Sequence, residues 1–263
     1  MVATAAAHSN DRATDGEAGA DRAALAEFAV AVADDLSLLA SLHDREPTAA
    51  IIAAARQAPL AEQLGLSLQT ERGGDALAAF ARMLATLPDP VDAAALDDLA
   101  AGFTEVYLRH SYRAAPTESV WMTEDGLERQ APMFAVRECY KRAGLKVDDA
   151  ASRPDDHLVL QLQFVSHLAR VAREPGDLAV AARFLDEHLL RWVGQFAERL
   201  IAARAPDYYA ALALVTACYA DELRDHLTGI TGHARPAASD LAAKAKSVDD
   251  ADGPYLPGAA PSW

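Results

Sequence analysis

Apolar residues recur three and four positions apart along almost the whole chain, and the two-residue alternation of half-buried strands hardly occurs. That period suits helices with one buried face. Leu25, Phe28, Val32, Leu36 and Leu39 mark a first helix, and Thr48 can cap a short Ala/Ile-rich one. Asp75 caps the next, which puts Leu77, Phe80, Leu84 and Leu87 on one face until Pro88-Asp89-Pro90 ends it. Leu96, Leu99, Phe103 and Val106 line another that ends near His110. Pro132 opens a helix through Met133, Val136 and Tyr140, and Gly144 stops it. Asp177 caps a long helix through Leu185, Leu189, Trp192, Phe196 and Leu200, and Pro206-Asp207 starts the last, with Leu212, Val215, Cys218, Tyr219 and Leu223. The expectation is an all-α domain over residues 21–232. Residues 1–20 and 233–263 are small, polar or proline-rich, and read as disordered tails. No repeat of fixed period points to a solenoid.

Composition narrows the function classes. With 39 acidic against 24 basic residues the net charge is −15, which repels a phosphate backbone and excludes nucleic acid while suiting a cationic peptide. No uncharged apolar run reaches the roughly 18 residues of a membrane span. The first residues, MVATAAAHSNDRATDGEAGA, carry neither the basic start nor the apolar core of an export signal, so the expected location is the cytoplasm. Cys139 and Cys218 lie far apart in apolar segments and read as reduced core thiols.

Two stretches carry the chemistry. SRPDDHLVLQLQFVSHLAR, from Ser152, opens an apolar helix with two aspartates and a histidine. Ser152 and Asp155 have capping-box spacing, Pro154 suits a first turn, and acids there complement the helix dipole. His157 is left over: at the positive end of a helix it favours the neutral form or a carboxylate partner. The second stretch is the connection from His110 to Pro132, about twenty residues with no sustained helical face. Its Val120, Trp121 and Met122 with Glu118 can line a groove, or Trp121 can simply tuck into the core.

Metal-ligand spacings such as Glu-x-x-His and HExxH are absent. Glu222 and His226 fall four apart but read as a solvated helix face, and His43, His110, His167 and His188 stand isolated. Nucleotide loops and the GxSxG elbow do not occur, and no cofactor is expected. An acid/base enzyme built on Asp156, His157 and Glu118, with Ser119 as the nearest nucleophile, stays open as the rival reading, as does a general helical adaptor.

APTESVW at 115–121, PMFAVRECYKRAGL at 132–145, RPDDHLVLQLQFVSHL at 153–168 and FLDEHLLRWVGQFAERL at 184–200 together resemble the ordered blocks of the TorD/DmsD/NarJ family. These are cytoplasmic maturation chaperones for molybdenum-cofactor oxidoreductases. The resemblance implies an all-helical fold, no catalytic turnover, and binding of the twin-arginine leader on an apo catalytic subunit until its cofactor is inserted. It carries leader recognition onto Pro116, Glu118, Trp121, Asp156 and His157. The loop departs from the pattern in having Thr117 before the glutamate and Trp121 at its end, where relatives often have an aromatic and a tyrosine.

A receptor for two guanidinium groups and an apolar stretch needs an apolar wall and a carboxylate rim. Glu118, Asp155 and Asp156 are the expected rim, and Trp121, Leu158 and Leu162 the expected wall. Monomer and homodimer are both compatible with the sequence.

Overall fold

The computed structural model describes residues 7–147 and 153–237, with side chains from residue 21 onward. One compact unit covers Met1–His233; a second covers Ala234–Trp263, of which residues 234–237 are described. The described residues form helices throughout, with a single isolated β-bridge.

A long α1 (Ala7–Asp44) buries Val32, Ala33, Leu36 and Leu39 against α8 (Leu158–Val171). Its start lies ahead of residue 21, because the Ala-rich segment before Asp21 continues a helix already nucleated by packing. Next come α2 (Ala49–Gln57), capped by Thr48 as its sequence suggests, and the single turn α3 (Leu60–Gln63). The next helix, α4 (Glu71–Thr86), begins earlier than the Asp75 cap expected from sequence. Thr70 is its cap, with Oγ1 accepting from Gly73 N–H at 3.0 Å. Glu222, from the last helix, takes the Thr70 hydroxyl at 2.5 Å and the Gln69 N–H at 2.5 Å. Glu222 is therefore a buried cap for a distant helix and not part of a solvated face.

The chain continues through α5 (Ala93–Phe103) directly into one π-helical turn, Thr104–Leu108. Gly102 lets this junction sit on Tyr209 and Pro206; a Cβ there would lie 2.9 Å from the Tyr209 ring. After α7 (Ala131–Arg142), Gly144 takes φ 73°, the left-handed stop expected of it.

The long helix expected after Asp177 is broken into α9 (Pro175–Glu187), a 3-10 turn at Leu189–Arg191, and α10 (Val193–Ala202). Asp177 serves as the third residue of a capping box whose cap is Glu174. The break falls at His188, whose backbone leaves the helix at φ −128°, ψ −85° as its ring turns inward.

The last helix, α11 (Asp207–Thr231), buries residues on nearly every side, including Tyr209, Leu212, Val215, Tyr219 and Leu223. A helix apolar all round belongs in the middle of a bundle, and α11 packs against α4, α9 and α10. Its one fully buried cation, Arg224, meets Asp186 through two parallel hydrogen bonds of 2.9 and 2.8 Å. Among the described residues no helix is long and apolar enough to cross a membrane.

Candidate functional site

The segments singled out by sequence meet at the isolated bridge, where Thr117 opposes His157 in antiparallel fashion. Leu158 N–H donates to Pro116 O at 2.8 Å, and Glu118 N–H donates to Asp156 O at 3.1 Å. Pro116 biases Ala115 towards extended backbone, and a turn closed by His157 N–H donating to Pro154 O at 3.1 Å brings His157 to the bridge. Thr117, at φ −135° and ψ 134°, then turns the chain into the short α6 (Glu118–Met122), the helix that sequence periodicity is too brief to reveal.

The carboxylates at the bridge each have a protein partner, although Asp155 Oδ1 and Asp156 Oδ1 are buried with none among the described residues. Asp156 Oδ2 accepts from Ser119 N–H at 2.7 Å and from the Ser119 hydroxyl at 2.5 Å, so it caps α6 from across the junction. Burial raises the Asp156 pKa, and the two Ser119 bonds act against that rise. Asp155 pairs with the Arg137 guanidinium, and its carbonyl accepts from Tyr140 OH at 2.9 Å.

His157 is the N-cap of α8: Nδ1 accepts from Val159 N–H at 3.2 Å, which leaves the ring proton on Nε2. Burial, reinforced by the Arg153 charge, holds its pKa well below the ordinary histidine value. The neutral form expected from sequence is therefore present, but the helix starts at Leu158 and Asp155 lies before it. Main-chain pairing of Asp156 and Leu158 with the opposite segment delays the helix beyond the expected first turn. Ser152, the expected cap, lies outside the described residues.

Glu118 turns beneath α8. Its oxygens accept from His188 Nδ1 at 3.1 Å and from Gln161 Nε2 at 2.8 Å, and Gln161 Oε1 accepts from Trp192 Nε1 at 3.3 Å. Burial lowers the His188 pKa, but its hydrogen bonds to Cys139 and Glu118 and the Glu118 charge outweigh that and bring it up to about 9. Sequence reasoning treated His188 as isolated because Glu118 is so far away along the chain.

The structure thus gathers Pro116, Glu118, Asp155, Asp156, His157, Leu158 and Leu162 at one junction. Trp121 sits at its edge, with Nε1 donating to Ala115 O at 2.8 Å and its ring edge-on to Phe196. Of the rim and wall residues expected from sequence, Glu118 is 1% exposed, Asp155 2%, and Asp156, Leu158 and Leu162 0%, while Trp121 is partly exposed. Buried carboxylates without partners are costly, and these find theirs inside the protein. The acid/base dyad is not assembled: His157 Nδ1 bonds to a backbone amide, not to Asp156 or Glu118.

The open feature lies on the other side of the bridge. A cleft of about 590 Å³ has apolar walls of Phe103, Leu108, Val147 and Leu160. Thr117 and His157 line it from the bridge, and Glu128, Arg129, Arg153 and His110 supply its charged and polar margin. Arg153 is paired to Asp44 at 2.6 Å, and Glu128 stands 3.6 Å from His110 Nδ1.

Two further observations mark this cleft. His110 and Arg129 both hold left-handed backbone, at φ 52° and 60°, a strained conformation for residues with side chains. Thr117 Oγ1 is buried with no hydrogen-bond partner among the described residues. At the floor, His43 Nδ1 accepts from Tyr107 OH at 2.5 Å, and Nε2–H donates to Thr216 Oγ1 at 2.8 Å, whose own proton goes to Leu212 O. Burial takes His43 down to about 3, so this ring stays neutral. Of the cleft residues, Thr117, Arg153, Pro154, His157 and Leu160 lie in the quoted sequence blocks, whereas the π turn and the left-handed residues that shape the rest have no periodic signature.

Residues 71–198 match the family model described as nitrate reductase delta subunit. The chain is 36% identical over 124 residues to the chaperone protein TorD of Vibrio cholerae O395, covering 44% of this chain and 56% of that relative. It is 29% identical over 161 residues to the chaperone protein TorD of Vibrio vulnificus YJ016, covering 57% of this chain and 73% of the relative. A probable Tat proofreading chaperone DmsD of Haemophilus influenzae is 30% identical over 101 residues, 38% of this chain and 47% of the relative. Against the Vibrio cholerae relative, the match spans little more than half of the relative's length.

Proposed function

We propose that this chain, similar to the TorD and DmsD chaperones, is a cytoplasmic maturation chaperone, not an enzyme, which holds the apo catalytic subunit of a molybdenum-cofactor oxidoreductase by its twin-arginine leader. The leader docks in the cleft beside the Thr117–His157 bridge. That bridge supports the reading most directly, because it makes both family blocks, 115–121 and 153–168, contribute to one apolar cleft.

The division of labour follows from burial. Glu118, Asp155 and Asp156 hold the two segments together, and Glu128, 37% exposed at its side chain, meets a leader guanidinium. A charge-assisted hydrogen bond in such a partly dry cleft contributes about 1.5–3 kcal/mol, against about 0–1 for an exposed pair. The apolar part of the leader covers Phe103, Leu108 and Leu160, and His157 Nε2–H donates to a leader carbonyl. The net charge of −15 speeds encounter with a basic peptide.

Calorimetric titration with a synthetic twin-arginine leader tests the proposal. The twin-arginine leader should bind about 10-fold or more tightly than its twin-lysine counterpart, because only a guanidinium offers a bidentate fork to Glu128. Equal affinities would favour a general helical adaptor over a leader-specific chaperone.

A further inference from the structure

Beneath the junction, on the side away from the cleft, a thiol faces an oriented imidazole. Cys139, on α7, is partly exposed, unlike the buried core thiol expected from sequence. Its Sγ lies 3.7 Å from His188 Nε2. The opposite ring nitrogen, Nδ1, stands 3.1 and 3.2 Å from the two Glu118 oxygens. An ionised carboxylate only accepts, so Nδ1 carries a hydrogen, and Nε2 is the ring nitrogen that takes up the thiol proton, giving an imidazolium beside the sulfur. Glu118 is fixed in turn by Gln161, and the His188 ring packs 4.9 Å from Phe184.

A nucleophile, a base within hydrogen-bond reach, and a third group orienting the base form a recognisable set. Partial exposure beside a histidine is also the setting that separates reactive cysteines from inert structural ones. Cys218 provides the internal contrast: it is buried at 6%, and burial pushes its thiol up.

We propose that Cys139 is a covalent modification site that exchanges with low-molecular-weight disulfides, with His188 as its base and Glu118 as the residue that positions the base. In the exchange, Cys139 Sγ attacks one sulfur of R–S–S–R. Cys139 attacks as the thiolate, its proton already held on His188 Nε2; the Sγ–S bond forms, the S–S bond breaks, and that proton passes to the departing RS⁻. The products are the protein mixed disulfide and one RSH, with no other oxidant required. A raised His188 pKa, brought to about 9, fits a ring able to hold that proton in transit. None of Cys139, His188 and Glu118 lines the leader cleft, so thiol kinetics and leader titrations fail independently.

The experiment follows the reaction of the full chain with 4,4′-dithiodipyridine at neutral pH, with the modified residue located by mass spectrometry. Native Cys139 should react about 10-fold or more faster than the same cysteine in the urea-unfolded chain, although unfolding exposes it, whereas Cys218 should show the opposite order. Cys139→Ser should abolish the fast phase and Cys218→Ser should leave it. His188→Ala should slow Cys139 about 10-fold, and added imidazole should restore part of the rate, which loss of packing alone would not allow. A native Cys139 rate equal to or below the unfolded rate would overturn the proposal, whether or not the His188 variant folds. A fast rate that is unchanged in folded His188→Ala would remove histidine from the site and overturn it equally.

Discussion

The two sides of the Thr117–His157 bridge differ in how densely their polar groups are bonded to one another. Beneath it, Glu118, Asp156, Gln161, His188 and Trp192 join in a buried hydrogen-bonded network, in which Asp156 Oδ1 is left without a partner among the described residues. Above it, the cleft leaves a buried threonine hydroxyl without a partner, turns a histidine Nε2–H outward from its capping bond, and tolerates left-handed backbone at His110 and Arg129. The contrast teaches that the carboxylates most conspicuous in sequence build the scaffold, while the open cleft is left to quieter neighbours. A hydrogen-bonded network is stiff and specific, and an open surface next to it is where a ligand gains most.

The largest effect should come from removing Glu118. Glu118→Ala leaves the His188 imidazolium and the Gln161 amide buried without their acceptor, and should cost about 3–5 kcal/mol in urea unfolding. A loss below about 1 kcal/mol would mean that the dry side is not held by this pair. Next is the pH dependence of the same pair. His188 is raised to about 9 in the folded chain, so the folded state binds the extra proton between its unfolded value near 6.5 and 9. Stability from this group is full below about 6.5 and should fall by up to about 1.4 kcal/mol per unit as pH rises towards 9. In Glu118→Gln that alkaline slope should flatten. On the acid side, His43, held near 3 by burial, loses its contribution as pH falls below about 6.5, so the wild type should be most stable between these limbs.

Asp156→Ala removes the two bonds to Ser119 that cap α6, and should cost about 1–3 kcal/mol in the same assay. The smallest stability change is expected on the open side. Thr117→Val replaces an unpartnered hydroxyl with a methyl group and should shift unfolding by less than about 1 kcal/mol in either direction, while weakening the leader several-fold. If Thr117→Val left leader affinity untouched and Asp156→Ala abolished it with the fold intact, the two sides of the bridge would have exchanged roles.

The sequence showed the helices where local signals agree with packing. Thr48 caps α2, Gly144 ends α7, and the apolar period of α11 places Leu212, Val215, Tyr219 and Leu223 as the buried residues they are. It failed where a distant residue decides. Thr70 displaces Asp75 as a cap because Glu222 completes the site, and the expected long helix breaks at His188 because Glu118 draws the ring inward. At the junction the motif blocks did identify segments that meet. Their side-chain directions were not legible, since carboxylates at a rim and carboxylates satisfied within the core leave the same letters in a sequence. His110 and Glu128 carried no signal, for their side of the cleft is made by backbone turns that have no period.

The most direct measurement places a photo-crosslinking phenylalanine analogue in the apolar stretch of a synthetic twin-arginine leader and maps its adducts on the full chain by mass spectrometry. Adducts at Leu108, Val147 or Leu160 are expected, and Leu160→Asp should suppress them while Val180→Asp, on an exposed site of α9, should not. Adducts confined to residues outside the cleft, unaffected by Leu160→Asp, would contradict the account.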